Sequence, residues 1–128
     1  MTTRIEEATE RTAQQTAEHV REHMYANDRA VRELGIAITQ VAPGHATATM
    51  TVAGSMLNGH LTCHGGYLAP LADTGFAYAC NSYNELTVAS GFSIALLAPA
   101  REGDVLTARS DEVSKAGRTG VYDCGIHN

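Results

Sequence analysis

The spacing of apolar residues changes twice along the chain. From about Ile5 to Tyr25 they recur every three to five positions among Glu, Arg and Gln, which predicts a surface helix. Asn27 and Gly35 are expected to begin and end a second, short helix. After Gly35 the period becomes two, and the runs "IAITQVA" and "HATATMTV" flank a Pro-Gly pair. This pattern predicts a β-hairpin.

A third helix-like region, from about Gly66 to Tyr83, is apolar on nearly every face and rich in Ala and Gly. Such a helix is typical of one that other structure surrounds. Three strand-like runs follow, "ELTVASGFSIALLA", "DVLTARSDEVSKA" and "TGVYDCGIHN". The order of elements predicts an α+β fold in which an antiparallel sheet curls around a central helix.

Size and composition exclude several classes of protein. The 128 residues fit one domain, and a net charge of −5 argues against a nucleic-acid partner. No apolar run reaches the length of a membrane span, and the N-terminus is too acidic and polar for a signal peptide. The three cysteines form no CxxC pair, which favours a reducing compartment. We therefore expect a cytoplasmic protein without a membrane partner.

Asp73 is the only charged residue between Cys63 and Ser82, and it lies among Leu, Phe and Ala. A carboxylate that loses hydration in a cleft is a candidate catalytic base. The alternative is a carboxylate that turns outward or caps a neighbouring loop. Composition alone favours neither interpretation.

The sequence His64-Gly65-Gly66 stands where the central helix is expected to begin. Free amides of a first helical turn can bind a phosphate or polarise a carbonyl, whereas two glycines can also simply permit a tight turn. Gly65 and Asp73 are eight residues apart, about 12 Å along a helix. The two groups cannot reach one small substrate within a chain. Two antiparallel copies related by a two-fold axis would bring them together, which predicts a homodimeric site.

Three stretches carry a family resemblance: "NGHLTCHGGYLAPLADTGFAYACNS", "VASGFSIALLAPAREGDVLTA" and "GRTGVYD". From about Leu34 to its last residues the chain resembles the hotdog-fold acyl-CoA thioesterases of the phenylacetate-degradation type. The resemblance implies a hotdog fold, a homodimer that pairs as a dimer of dimers, and hydrolysis of an aryl-acetyl-CoA such as phenylacetyl-CoA or a hydroxylated relative. It implies neither a cofactor nor a metal.

The resemblance also implies roles for individual residues. Asp73 matches the catalytic carboxylate, Gly65 matches the residue whose N–H polarises the thioester carbonyl, and His64 and Asn58 line the same pocket. Residues expected to bind the acyl group or CoA, with Arg101 the weaker candidate for the phosphates, are Gly66, Tyr67, Ser90, Arg101, Lys115, Arg118 and Thr119.

The chain departs from the family at two points. Pro70 stands three residues before Asp73, where it removes one N–H from the helix. Relatives continue beyond the "VYD" strand with a turn and a further strand, so residues 1–128 are expected to form a single hotdog domain that lacks its final strand. A missing strand would leave backbone groups unpaired at a sheet edge.

Other interpretations remain open at this point. His60, Cys63 and His64 could suggest zinc, but a fourth ligand is not evident. His19 and His23 could pair on a metal, or lie on a solvated helix face. A Cys63 nucleophile is chemically possible, although small buried cysteines are commoner. At the level of function, the rivals are a non-catalytic acyl-CoA sensor and a hotdog enoyl-CoA hydratase.

Overall fold

A computed structural model describes residues 10–128, and it begins with two helices, α1 (Ala13–Asn27) and α2 (Arg29–Glu33). Helix α1 starts at a capping box: the Gln15 N–H donates to Thr12 Oγ1 (3.1 Å) and the Thr12 N–H donates to Gln15 Oε1 (2.9 Å). The predicted start near Ile5 lies outside the described residues, but residues 10–12 are not helical because this box fixes the boundary. Asp28 is the N-cap residue of α2, in place of the expected Asn27.

The sheet contains four antiparallel strands in the order β1-β2-β3-β4. The predicted hairpin is confirmed, with Gly44 in its turn at φ +72°. The strands are β1 (Ala37–Ala42), β2 (His45–Thr51), β3 (Val105–Ala116) and β4 (Thr119–His127).

The central helix α3 (Gly65–Cys80) packs across one face of this sheet and confirms the α+β prediction. Its buried stripe includes Leu71 and Tyr78, which contact strand residues such as Ala46 and Ala48. The helix approaches the sheet closely at Gly75, where a Cβ would lie 2.9 Å from Ser110 Oγ. Pro70 does not interrupt the helix. Across residues 10–128, no helix is both long and apolar enough to span a membrane.

The strand predicted over "ELTVASGFSIALLA" is wrong. Residues 84–99, which we call the free segment, form no strand and no β-bridge. Their apolar side chains are exposed, including Leu86 at 95% and Leu97 at 92%. The alternating sequence has a strand's pattern, but a strand also needs a neighbouring backbone edge, and none of the described residues supplies one.

Candidate functional site

A tight loop leads into α3, and Asn58 organises it. Asn58 Oδ1 accepts hydrogen bonds from the backbone N–H groups of His60 (2.9 Å) and Thr62 (3.2 Å), while its Nδ2 donates to Thr62 Oγ1 (2.9 Å). These contacts use both ends of the amide. The structure therefore places Asn58 in the loop that precedes α3, with its side chain engaged in holding that loop.

His64 caps α3 through its side chain. Its Nδ1 accepts a hydrogen bond from the Gly66 N–H at 2.8 Å, which requires Nδ1 to be unprotonated. The imidazole thereby accepts a hydrogen bond from one of the free N–H groups of the first turn. The ring lies so close to Gly66 that a Cβ on this residue would be 3.0 Å from Nδ1.

The Gly65 amide is the donor that remains. Gly65 is the first residue of α3, and its N–H has no acceptor among residues 10–128. The free segment passes close by, because a Cβ on Gly65 would lie 2.7 Å from Leu96 Cδ1. A donor with this freedom at a helix N-terminus can stabilise a developing oxyanion.

Asp73 lies in the same helix on its exposed side. The ion pairs of the described residues join other side chains, and none of these residues forms a hydrogen bond with the carboxylate. Of the two interpretations that the sequence left open, the single chain fits the carboxylate that turns outward, because the apolar neighbours in sequence turn towards the sheet while Asp73 turns away. As predicted, eight residues of unbroken helix, about 12 Å, separate it from Gly65.

The residues expected to bind CoA phosphates fall into two groups. Arg101 lies near the start of α3, in a turn where its own N–H donates to Asp104 Oδ2 at 2.8 Å. Arg118 and Thr119 lie exposed at the β3–β4 turn, towards the other end of α3. Lys115 lies there too, with its Nζ 3.9 Å from the centroid of the Tyr83 ring.

Lys115 is also paired, since its Nζ lies 3.6 Å from Glu85 Oε1. The predicted site is therefore divided between the two ends of α3. Asn58, His64 and Gly65 lie at the start of this helix, and the Lys115 ammonium group lies beyond its end.

Two predicted substrate contacts stand apart. Tyr67, in the first turn of α3, is half-buried and packs against the main core. Ser90 is exposed in the middle of the free segment.

Sequence reasoning missed a network beyond the end of α3. Glu112 Oε1 accepts hydrogen bonds from the hydroxyls of Tyr83 (2.9 Å) and Tyr122 (3.2 Å). Tyr122 also meets the Phe76 ring edge-on, with centroids 5.5 Å apart. Burial, then the Glu112 carboxylate, raises the pKa of Tyr122. The residues come from distant parts of the chain and share no local motif, so no sequence signal would have found them.

The alternative chemistries gain no support from the geometry. In the part of the chain that the structure describes, no three His, Cys, Asp or Glu side chains are grouped to hold a metal ion. Cys63 is buried, and burial raises the pKa of its thiol, which disfavours the nucleophilic thiolate.

Comparisons with known proteins agree with this fold. Residues 60–128 match the sequence profile of the thioesterase superfamily. The acyl-coenzyme A thioesterase PaaI of Escherichia coli is 50% identical over 105 residues, which are 82% of this chain and 75% of PaaI.

Solved structures are similar as well. The structure of the E. coli PaaI protein from the phenylacetic acid degradation operon matches 90% of this chain and 83% of its own, at 46% identity and a TM-score of 0.88. A hypothetical thioesterase of Streptococcus pneumoniae, solved with coenzyme A, matches 71% of each chain at 34% identity and a TM-score of 0.67. The hotdog fold predicted from the sequence is confirmed.

Proposed function

The chain belongs to the thioesterase superfamily, and on that basis we propose that it hydrolyses acyl-CoA thioesters to the free acid and CoA. The observation that carries the proposal is the start of α3, where the Gly65 N–H has no acceptor among residues 10–128 while His64 binds the neighbouring amide. A donor kept free in this way suits a thioester oxygen that becomes negative in the transition state.

The chemistry needs only two groups. The Gly65 N–H stabilises the oxyanion, and the Asp73 carboxylate either takes a proton from the attacking water or attacks the carbonyl carbon itself. In both routes the C–S bond breaks and CoA leaves as a thiolate, which then takes up a proton. When the carboxylate itself attacks, the acyl group is left on Asp73 as a mixed anhydride, and a water molecule hydrolyses that anhydride to release the free acid and restore the carboxylate. Thiolate is a good leaving group, so the reaction proceeds without a cofactor.

The proposed substrate carries an aryl-acetyl group, such as phenylacetyl-CoA or a hydroxylated relative. Support comes from the 50% identity to E. coli PaaI, whose gene lies in a phenylacetic acid degradation operon. Half-buried Tyr67, in the first turn of α3, is proposed to contact the ring of the acyl group. Lys115, Arg118 and Thr119 of one copy are proposed to meet the CoA phosphates at a site completed by another copy.

The proposed active form is a homodimer with antiparallel α3 helices, so that Gly65 of one copy lies beside Asp73 of the other. Three features support it: the 12 Å separation within one helix, the exposure of Asp73, and the exposed apolar side chains of the free segment. The second copy would bury Asp73 and supply the low-dielectric environment that one chain lacks. A dimer of dimers in the cytoplasm completes the proposal.

The test of function is the release of free thiol from a panel of CoA thioesters, with phenylacetyl-CoA and hydroxylated relatives beside short aliphatic esters. Asp73→Asn should retain the fold and CoA binding but lose activity by about 10²–10⁴. Asp123→Asn is the matched control, because Asp123 is an exposed carboxylate on β4. Binding of CoA esters without any turnover would contradict hydrolysis and identify a sensor, and water addition to an enoyl-CoA would identify a hydratase.

The test of the dimer is sedimentation velocity with an activity assay over the same range of protein concentration. Specific activity should fall as the dimer dissociates. A monomer with full specific activity would contradict the shared site.

A further inference from the structure

The free segment is held to α3 at both ends of the helix. At the end of the helix, Asn81 Nδ2 donates to Thr87 O (3.0 Å) and the Thr87 N–H donates to Asn81 Oδ1 (2.9 Å). At the start, Leu96 lies against Gly65, where a Cβ would be 2.7 Å from Leu96 Cδ1. The segment therefore runs antiparallel to α3, from the end of the helix to its start.

Asp73 lies midway between these two anchors. It is eight residues from Gly65 and eight from Asn81, so each interval covers about 12 Å along the helix axis. Eight residues also turn about 80° beyond two full turns, which places Asp73 midway around the axis as well. The opposite side of α3 is occupied by the sheet, against which Leu71 and Gly75 pack. The free segment therefore passes the side of the helix that carries Asp73.

The spacing along the free segment selects the residue that faces this carboxylate. Residues 91–97 contain no helix, turn or bend, and an extended chain advances about 3.3 Å per residue. Phe92 stands four residues before Leu96, at about 13 Å, which matches the distance of about 12 Å from Gly65 to Asp73. Side chains at even spacing point to the same face of an extended chain. Phe92 therefore points towards α3, as Leu96 does, at the level of Asp73.

The Phe92 ring is not committed to the protein core. It is 69% exposed and belongs to neither core cluster of residues 10–128. The other phenylalanine, Phe76, meets Tyr122 edge-on, and Tyr67 packs against the main core. Phe92 thus offers an aromatic surface beside the proposed catalytic carboxylate.

We propose that Phe92 contacts the ring of the acyl group and determines the preference for aryl-acetyl over aliphatic thioesters. The inference rests on the proposed thioesterase function, because it takes Asp73 as the carboxylate that acts at the carbonyl carbon. Only a methylene separates that carbon from the ring of an aryl-acetyl group, so the ring reaches the side chains next to Asp73. Two aromatic rings attract each other edge-on or offset, at centroid distances of about 4.5–7 Å, and an aliphatic chain lacks this contribution.

The experiment measures kcat/KM for phenylacetyl-CoA and for hexanoyl-CoA by release of free thiol. Phe92→Ala should lower the ratio of the aryl to the aliphatic value by about tenfold, the upper range for one aromatic pair. Phe92→Leu keeps an apolar side chain without the aromatic face, so its ratio should fall less. Val88→Ala is the matched control, because Val88 is an exposed apolar residue of the same segment beside the Thr87 anchor. Its ratio should equal that of the wild type.

An unchanged ratio in Phe92→Ala would overturn the proposal. Equal losses with both esters also leave the ratio unchanged, and they would assign Phe92 to the fold or to the contact between copies instead of the acyl group. If the wild type hydrolyses neither ester, the proposed function fails, and the contact is then decided by a measurement that needs no hydrolysis.

That measurement is the nuclear Overhauser effect between bound phenylacetyl-CoA and ¹³C-labelled phenylalanine in Asp73→Asn, which does not consume the ester. The chain contains two phenylalanines, so Phe92→Leu in the same background identifies the signals of Phe92. We expect cross-peaks from the acyl ring to Phe92. Their absence at saturating ester, or cross-peaks to Phe76 alone, would refute the contact whether or not the protein is a thioesterase.

Discussion

Replacing Gly65 by proline would remove one N–H and leave the rest of the helix start in place. Proline is well tolerated at the first helical position, which Gly65 occupies. The preceding residue must be extended, and His64 already has φ −61° and ψ 133°. The Gly66 N–H to His64 Nδ1 hydrogen bond does not involve the lost group.

The structure also sets the size of the effect. Loss of one oxyanion donor lowers kcat by about 10²–10³, or roughly 3–4 kcal/mol in the transition state. The steric cost is small by comparison: the new ring meets Leu96 Cδ1, the tip of a side chain that is 59% exposed and free to turn. Repositioning it costs about 1 kcal/mol.

The assay compares Gly65→Pro with Gly65→Ala for thiol release from phenylacetyl-CoA. Alanine makes the same contact with Leu96 but keeps the N–H, so it should retain most of the wild-type rate. Equal activity of the two variants, with unchanged helical circular dichroism, would remove the Gly65 amide from the mechanism.

Mixing subunits of two inactive variants tests whether each site is shared between chains. Gly65→Pro and Asp73→Asn are each inactive alone, but random exchange of subunits should restore about a quarter of wild-type activity, because half of the dimers contain one intact site. A site contained in one chain predicts no recovery at all.

Three further predictions concern stability. Ser110→Ala should raise the free energy of unfolding by about 1 kcal/mol in urea titrations, because among residues 10–128 the buried Oγ has no nitrogen or oxygen partner and meets only the weakly hydrogen-bonding thiol of Cys124; a loss of stability would show that the contact with Cys124 matters more than the unpaired hydroxyl. Thr12→Ala should lower it by about 1 kcal/mol through loss of the cap on Gln15, and an unchanged midpoint would show that α1 begins independently of the box. Burial, then Asp28, raises the pKa of Tyr78, so its contribution to stability is complete below the unfolded value of about 10 and decreases as pH rises beyond it. In the Tyr78→Phe variant the melting temperature should depend less on pH above pH 10 than in the wild type. An identical decrease of the melting temperature with pH in both proteins would argue against Tyr78 as the cause.

Local patterns were sufficient to predict much of the fold. The hairpin, strands β3 and β4 and helix α3 follow from period and turn residues within short windows, and each agrees with the structure within a few residues. The free segment has an equally strand-like sequence and still forms no strand. A strand-like sequence shows that the segment could pair in a sheet, whereas pairing also requires the backbone edge of a neighbouring strand, which the segment's own sequence does not reveal.

The site divides in the same way. The free amide at Gly65 follows from the position of the two glycines at a helix start. The exposure of Asp73 does not, because the apolar residues around it in sequence say nothing about which side of α3 faces the sheet. Likewise, the pairing of Lys115 with Glu85 and Tyr83 joins residues about thirty positions apart and has no local signature.

The donor and the carboxylate stand on one rigid helix, which has a mechanical consequence in the proposed dimer. Each active site then lies between the two α3 helices, and the same two helices form both sites. If one helix slides along the other, the offset between Gly65 and Asp73 grows by the same amount in both sites. Both sites are therefore aligned or misaligned together, and a disturbance at the interface changes the catalytic alignment of the whole dimer at once.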